Sequence, residues 1–274
     1  MSKIVWDAIG EHFFETGTKN GVLYPYNKTT GKYKPGVAWN GLTAATETPE
    51  GAEANDQYAD DMKYLVLYSP ETFKGTIEAF SYPDEFKECD GSKDVATGVT
   101  IGQQERKTFG FCFRTAIGND VDGQDKGYKL HLWYGCKASP SERSYATIND
   151  SPEAITFSWE VTTTPINVEG YKAISTITID STKVDPTKLA SFLNTIYGTD
   201  GTVSYSAVTP VGSENPHTSG WYERSGSDPN YVYTLTEDTT VNDQKTYYSK
   251  TTAGATDPEL PMPADVISHF AISG

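Results

Sequence analysis

The sequence predicts a mainly β protein: a β-sandwich or barrel with one flanking α-helix at about 185–197, plus a small inserted β module. Three observations predict it. The first is the run Ala154–Pro165, where Ile155, Phe157, Trp159 and Val161 alternate with Thr156, Ser158, Glu160 and Thr162. That is the period of a strand with one buried and one polar face, and Pro165 closes it because proline cannot donate to a central ladder. The second is the recurrence of this period in other aromatic-rich segments. The third is a single clear helical stripe late in the chain. At ~3.3 Å per residue the Ala154–Pro165 run spans about 30 Å, the length of a large curved sheet or barrel wall.

Taken in order, residues 1–35 read as an N-terminal arm holding one short strand at most, with turn chemistry at Tyr24-Pro-Tyr26 and Thr30-Gly-Lys32. The segment from Gly41 to Met62 carries Glu47, Glu50, Glu53, Asp56, Asp60 and Asp61 and no Lys or Arg. It has neither the strand nor the helix period, so it reads as a long loop, and loops of that length are functional or disordered. Two readings stand: a solvated loop, or an arm that orders against a neighbouring subunit. Lys63–Tyr68 reads as a short strand. In the next, Phe73 to Tyr82, Gly75, Ile77 and Ala79 alternate with Lys74, Thr76 and Glu78. Asp84–Cys89 reads as one helical turn.

Phe109, Phe111 and Phe113 share one face of a strand that carries Arg114 on the other. After a Gly- and Asp-rich turn at 118–127, Tyr128, Leu130, Leu132 and Tyr134 oppose Lys129, His131 and Trp133, which makes a hairpin. A strand at 171–180 buries Ile177 and Ile179. Asp185 is then an N-cap and Pro186 the first helical residue. Leu189, Phe192, Leu193, Ile196 and Tyr197 follow as one apolar stripe, ended by Gly198. With Phe157 and Trp159 this stripe supplies the expected core.

Composition shifts after Gly201. Residues 204–252 are rich in Ser, Thr, Gly and Tyr and read as a three-stranded module with Trp221, Tyr222, Tyr231 and Tyr233 on its surface. Helix signals return at Pro263, Val266, Ile267 and Phe270. The module therefore interrupts a first domain made of 1–203 and 253–274.

The 37 acidic against 22 basic residues give a net charge of −15, which argues against a protein that grips phosphate backbones. No apolar run approaches the roughly 20 residues of a membrane span. The opening Met1-Ser-Lys-Ile-Val-Trp-Asp reads as lacking a signal-peptide core. Cys89, Cys112 and Cys136 are odd in number and lack Cys-x-x-Cys spacing, and read as small buried residues of a chain made in a reducing cytosol. No nucleophile elbow, phosphate loop, dinucleotide fingerprint or zinc-protease motif appears. Asn119-Asp-Val-Asp-Gly-Gln-Asp125 fails the calcium-loop register, with Asp125 where glycine and His131 where glutamate is required. Glu160 has no second carboxylate that sequence pairs with it for glycoside hydrolysis. No enzyme activity, cofactor or metal is expected.

Several stretches together resemble the major tail protein, or tail tube protein, of long, non-contractile-tailed bacteriophages. They are Trp39-Asn-Gly-Leu-Thr-Ala, Thr46-Glu-Thr-Pro-Glu-Gly-Ala-Glu-Ala, Tyr58-Ala-Asp-Asp-Met-Lys-Tyr, Glu78-Ala-Phe-Ser-Tyr-Pro-Asp-Glu-Phe and Val99-Thr-Ile-Gly-Gln-Gln. Asn149-Asp-Ser-Pro-Glu through Thr164-Pro165, Ile196-Tyr-Gly-Thr-Asp-Gly and Leu260-Pro-Met-Pro-Ala-Asp-Val-Ile continue the likeness. The inserted module departs from it and is similar to small Tyr-rich repeats of other phage proteins.

The resemblance implies a virion structural protein that self-assembles as hexameric rings stacked into a tube, the conduit for DNA ejection. Partners would be further copies of itself and other tail proteins: tape measure, tail terminator, and distal tail or baseplate. It implies no membrane, and DNA that passes an acidic lumen without specific binding. The acidic 41–62 loop matches the position of a bridge between subunits and rings. The face Thr156, Ser158, Glu160 and Thr162 becomes a candidate lumen lining, with the inserted module outside. The alternative is an aromatic-rich carbohydrate-binding or adhesin protein, with Trp221, Tyr222, Tyr231 and Tyr233 as its stacking platform.

Overall fold

A computed structural model describes residues 4–33, 35–145, 147–148, 150, 154–210, 215–227, 230–242 and 244–271. Asn149 and 151–153, part of the motif quoted above, lie outside the described residues. The chain divides into two compact units, Met1–Tyr197 with Pro258–Gly274, and Gly198–Asp257.

The first unit contains β1 (Phe14–Asn27), β2 (Lys32–Tyr33), β3 (Val37–Trp39), β4 (Leu42–Glu47), β5 (Ala54–Ala59), β6 (Met62–Tyr68) and β7 (Lys74–Ala79). After a 3-10 turn at Asp84–Phe86 come α1 (Lys87–Asp90), β8 (Lys93–Ala96), β9 (Val99–Ile101), β10 (Phe109–Asn119) and β11 (Gly123–Ala138). Next come β12 (Phe157–Thr163), β13 (Thr176–Asp180) and α2 (Pro186–Tyr197). The second unit holds β14 (Thr202–Val208), β15 (Trp221–Ser227), β16 (Asn230–Leu235) and β17 (Tyr247–Ala253), after which α3 (Pro263–Phe270) rejoins the first. The protein is mainly β, a sandwich-like sheet with helices against it.

The main sheet runs β2-β1-β10-β11-β12-β7-β4, with β13 also on β11 and β3 also on β1. It encloses two cores. Leu23, Phe109, Phe111, Phe113 and Trp133 meet Trp39, Ile77, Phe86 and Trp159 in the first. On the opposite face of β10 and β11, Val22, Tyr24, Cys112, Leu130, Leu132 and Tyr134 are covered by Leu189, Phe192 and Ile196 of α2 and Val266 of α3. Asp185 Oδ1 accepts from the amides of Thr187 and Lys188 at 2.9 Å, which caps α2, and Gly198 ends it at φ +73°. Leu193 and Tyr197 flank this core, half-buried.

Both faces of the Phe109–Phe113 part of β10 and the Leu132–Cys136 part of β11 are therefore dry, which corrects the outward placement of Trp133: it has no exposed surface. The same cause hid β1. Its Val22 and Tyr24 enter one core and Leu23 the other, so no polar alternation marks it. Its first half is interrupted by register shifts around Lys19, with Gly17 and Asn20 at positive φ. The N-terminal arm thus holds a fourteen-residue strand.

Two further expectations are corrected. The 41–62 segment is no loop, since it contains β4 and β5, and β5 pairs with β6 in a separate two-stranded ribbon. All six residues of β5 are exposed, and a strand with no face to bury shows no period. The Ala154–Pro165 run forms only a seven-residue strand, interior in the sheet but meeting β11 at three positions alone, Cys136–Ala138. Trp159 and Val161 are buried and Phe157 is half-buried, while Ile155 precedes the strand and is exposed. Arg106 Nη1 donates to Ala138 O at 3.0 Å, and Arg143 pairs with the buried Asp90, which ties the chain just after β11 to α1.

In the second unit the order is β14-β17-β15-β16, four strands where three were expected. The fourth is β14, whose only aromatic residue is Tyr205.

Candidate assembly surface

The ribbon β5–β6 gathers most of the acidic residues singled out above. Asp60 and Asp61 form its turn at φ +50° and +59°, the left-handed pair of a tight hairpin, and both are exposed. Asp56 sits 2.7 Å from Lys63 across the ribbon. Glu53 ties the base: its amide donates to Ser69 Oγ at 3.0 Å and its carbonyl accepts from the Ser69 amide at 3.1 Å. Glu50 exchanges backbone hydrogen bonds with Thr72 and lies 2.6 Å from Lys74. Glu47 belongs to the sheet rather than the ribbon. It ends β4 and accepts from Trp133 Nε1 at 3.0 Å, with His131 Nδ1 3.8 Å away. Burial holds the His131 imidazole below its ordinary value, although Glu47 pulls it up.

The ribbon also exposes Tyr58, Met62, Tyr64, Leu65, Leu67 and Tyr68, each between 40% and 74% accessible. These side chains have no buried face to occupy, because the ribbon pairs with no third strand among the described residues. Sequence reasoning read the acids and missed these apolar partners. Two other exposed apolar segments are Ile4, Val5, Trp6 and Ile9 ahead of β1, which the sequence reads only as part of an N-terminal arm, and Val95, Val99 and Ile101 on the ribbon β8–β9. The available signal was apolar residues in segments too short or too Gly-rich to bury them. Asp120 anchors the first of these segments, accepting from the Gly10 amide at 3.1 Å and standing 3.1 Å from His12 Nδ1. Those contacts, with the Gly10 amide foremost, depress its carboxyl to about 2.

On β12, Thr156 precedes the strand, while Ser158, Glu160 and Thr162 lie on one face opposite Glu78, Thr76 and Lys74 of β7. Thr162 also faces Lys137 of β11. The face is mixed in charge: the register sets two lysines beside two glutamates.

In the second unit Trp221 is buried against Tyr247, with ring centroids 5.6 Å apart, which removes it from any surface platform. Tyr233 stacks on Tyr205 at 3.8 Å, Tyr222 meets Tyr205 edge-on, and Arg224 lies 4.3 Å over Tyr231. These four tyrosines share one sheet face and keep part of their surface accessible.

No group of three His, Cys, Asp or Glu residues is placed to hold a metal among the described residues, and no helix there is long and apolar enough to cross a membrane. No protein-family model matches the chain, and no curated protein matches it.

Proposed function

We propose that this chain is a structural virion protein, a tail tube subunit that polymerises as stacked hexameric rings and leaves a channel for DNA. The observation that carries the reading is the β5–β6 ribbon, acidic at its tip and apolar along its strands. A two-stranded ribbon is marginal alone, and apolar patches of this kind mark contact surfaces. The outer edges of β4 and of the Phe14–Asn20 part of β1 have no partner strand among the described residues, and bare edges are templates for pairing with another chain. The net charge of −15, multiplied around a ring, repels phosphate and favours passage over binding. The subunit would be made in the host bacterial cytoplasm, end in the virion tail, and join other tail proteins at the tube ends.

Negative-stain microscopy with light scattering on the purified chain tests the reading. Rings or tubes are expected. A monomer at every concentration would overturn it. Tyr64→Ser with Leu67→Ser should abolish assembly while leaving thermal stability unchanged, since both side chains are exposed.

The tyrosine face of the second unit supports a second reading, confined to that unit: a weak glycan contact through Tyr205, Tyr222, Tyr231 and Tyr233. Glycan binding that persists after deletion of 204–252 would reject it.

A further inference from the structure

A cleft of about 530 Å³ opens beside the first half of β1, lined by Thr18, Lys19, Asn20, Asn40, Arg114 and Tyr197 among others. Lys19 and Arg114 are register partners on β1 and β10, so their side chains leave the same face of the sheet. Neither makes an ion pair among the described residues, in a chain where acids far outnumber bases. The Arg114 guanidinium is held rather than free: it lies 4.3 Å over the Tyr128 ring and 4.9 Å over the Tyr197 ring, and its Nε donates to Tyr197 Oη at 2.9 Å. A cation stacked between two rings, with an unpaired lysine beside it, is a preorganised site for carboxylate. The β1 backbone shifts register on both sides of Lys19, and its outer edge from Phe14 to Asn20 carries no strand among the described residues, so the cleft is open to an incoming hairpin.

The complementary group is elsewhere on the same chain. Asp60 and Asp61 have no cation partner among the described residues, unlike Asp56. At ~3.3 Å per residue the seven-residue β6 carries them about 20 Å from the ribbon base. We infer that the Asp60–Asp61 turn of a second copy docks its carboxylates on Lys19 and Arg114 in this cleft. The inference rests on the polymer reading and names the receptor for its ribbon.

Assembly of the full-length chain is compared by sedimentation velocity and negative stain for the wild type, Lys19→Glu, Asp60→Lys with Asp61→Lys, and the combined triple variant. Lys19 is exposed and unpaired, so its reversal leaves the fold intact, which a thermal melt verifies. Each reversal should raise the concentration needed for assembly by about tenfold or more. The triple variant should assemble better than Asp60→Lys with Asp61→Lys alone, because the glutamate in place of Lys19 then attracts the new lysines while Arg114 still repels them. A second arm places Lys19→Cys and Asp61→Cys in one chain, and oxidation should give covalent ladders of subunits. Wild-type tubes alongside unaltered Lys19→Glu tubes, a triple variant no better than Asp60→Lys with Asp61→Lys, or oxidised chains that stay monomeric overturn the contact and leave the polymer reading standing. A wild-type chain that never assembles overturns both.

Discussion

Trp133 and Glu47, 86 residues apart, meet through a 3.0 Å hydrogen bond from the indole Nε1 to the carboxylate Oε1. The indole is wholly buried, so Glu47 supplies its acceptor at the rim of the first core. It thereby fixes the end of β4 above β11. Glu47→Ala strands the donor, and a buried group without a partner costs about 1–3 kcal/mol. Glu47→Gln keeps a carbonyl oxygen in place and should lose less than half of that. Urea unfolding followed by tryptophan fluorescence measures both variants, and equal losses would show that charge matters more than the bond.

His131 gives stability a pH dependence of known sign. Burial lowers its folded value beneath the ordinary 6.5, so the unfolded chain takes up the proton first as pH falls. The contribution is whole above about 6.5, declines below it, and is spent once the folded value is passed. The ring stacks on Phe113 at 4.7 Å and its Nε2 lies 3.0 Å from Thr115 Oγ1, so protonation strains a packed site. His131→Gln should flatten this limb of the stability–pH curve relative to wild type. An unchanged difference curve between pH 7 and 5 would remove His131 as its source.

Asp90 is 8% exposed, and burial outweighs the two nearby guanidinium groups, so its carboxyl is raised. Arg143 pairs with it and lies 5.6 Å over the Phe157 ring, and Arg106 stands 3.8 Å away. Arg143→Ala leaves the buried charge with only Arg106 and a Trp159 hydrogen bond as partners, a loss of about 3 kcal/mol at neutral pH, the low end for a broken buried pair. A raised carboxyl is easier to protonate in the fold than out of it. The loss should therefore shrink as pH falls, and Asp90→Asn in the same background should recover part of it. Thermal melts at two pH values decide the matter.

How much of this was legible depended on whether a segment has one dry face. Lys74–Ala79 and the α2 stripe have one, and their periods read correctly. Val22–Tyr24 and Trp133 lie between two cores, where alternation no longer separates inside from outside. Asn55–Ala59 has no core at all, and its strand character comes only from pairing with β6. The six acids were visible as a charge run. What the run could not show is that Glu47 turns inward to an indole while Asp60 and Asp61 face solvent at a hairpin tip. Nor does a linear pattern reveal that Lys19 and Arg114 share a register position.

The β12 face yields the last prediction. If Ser158, Glu160 and Thr162 line the channel, DNA passes a surface where Glu78 and Glu160 stand beside Lys74 and Lys137. Glu160 is exposed, and its side chain makes no ion pair among the described residues, so its replacement should not disturb the fold. With Glu50, the partner of Lys74, counted, Glu160→Lys changes the local balance from three acids and two bases to two acids and three bases. Repeated around every ring, that turns a net acidic lining into a net basic one that holds the phosphate backbone, and the drag should strengthen as salt is lowered. Tubes of normal appearance that eject DNA slowly, with the defect eased by added salt, are the expected result. Normal infectivity at low ionic strength would place this face away from the channel.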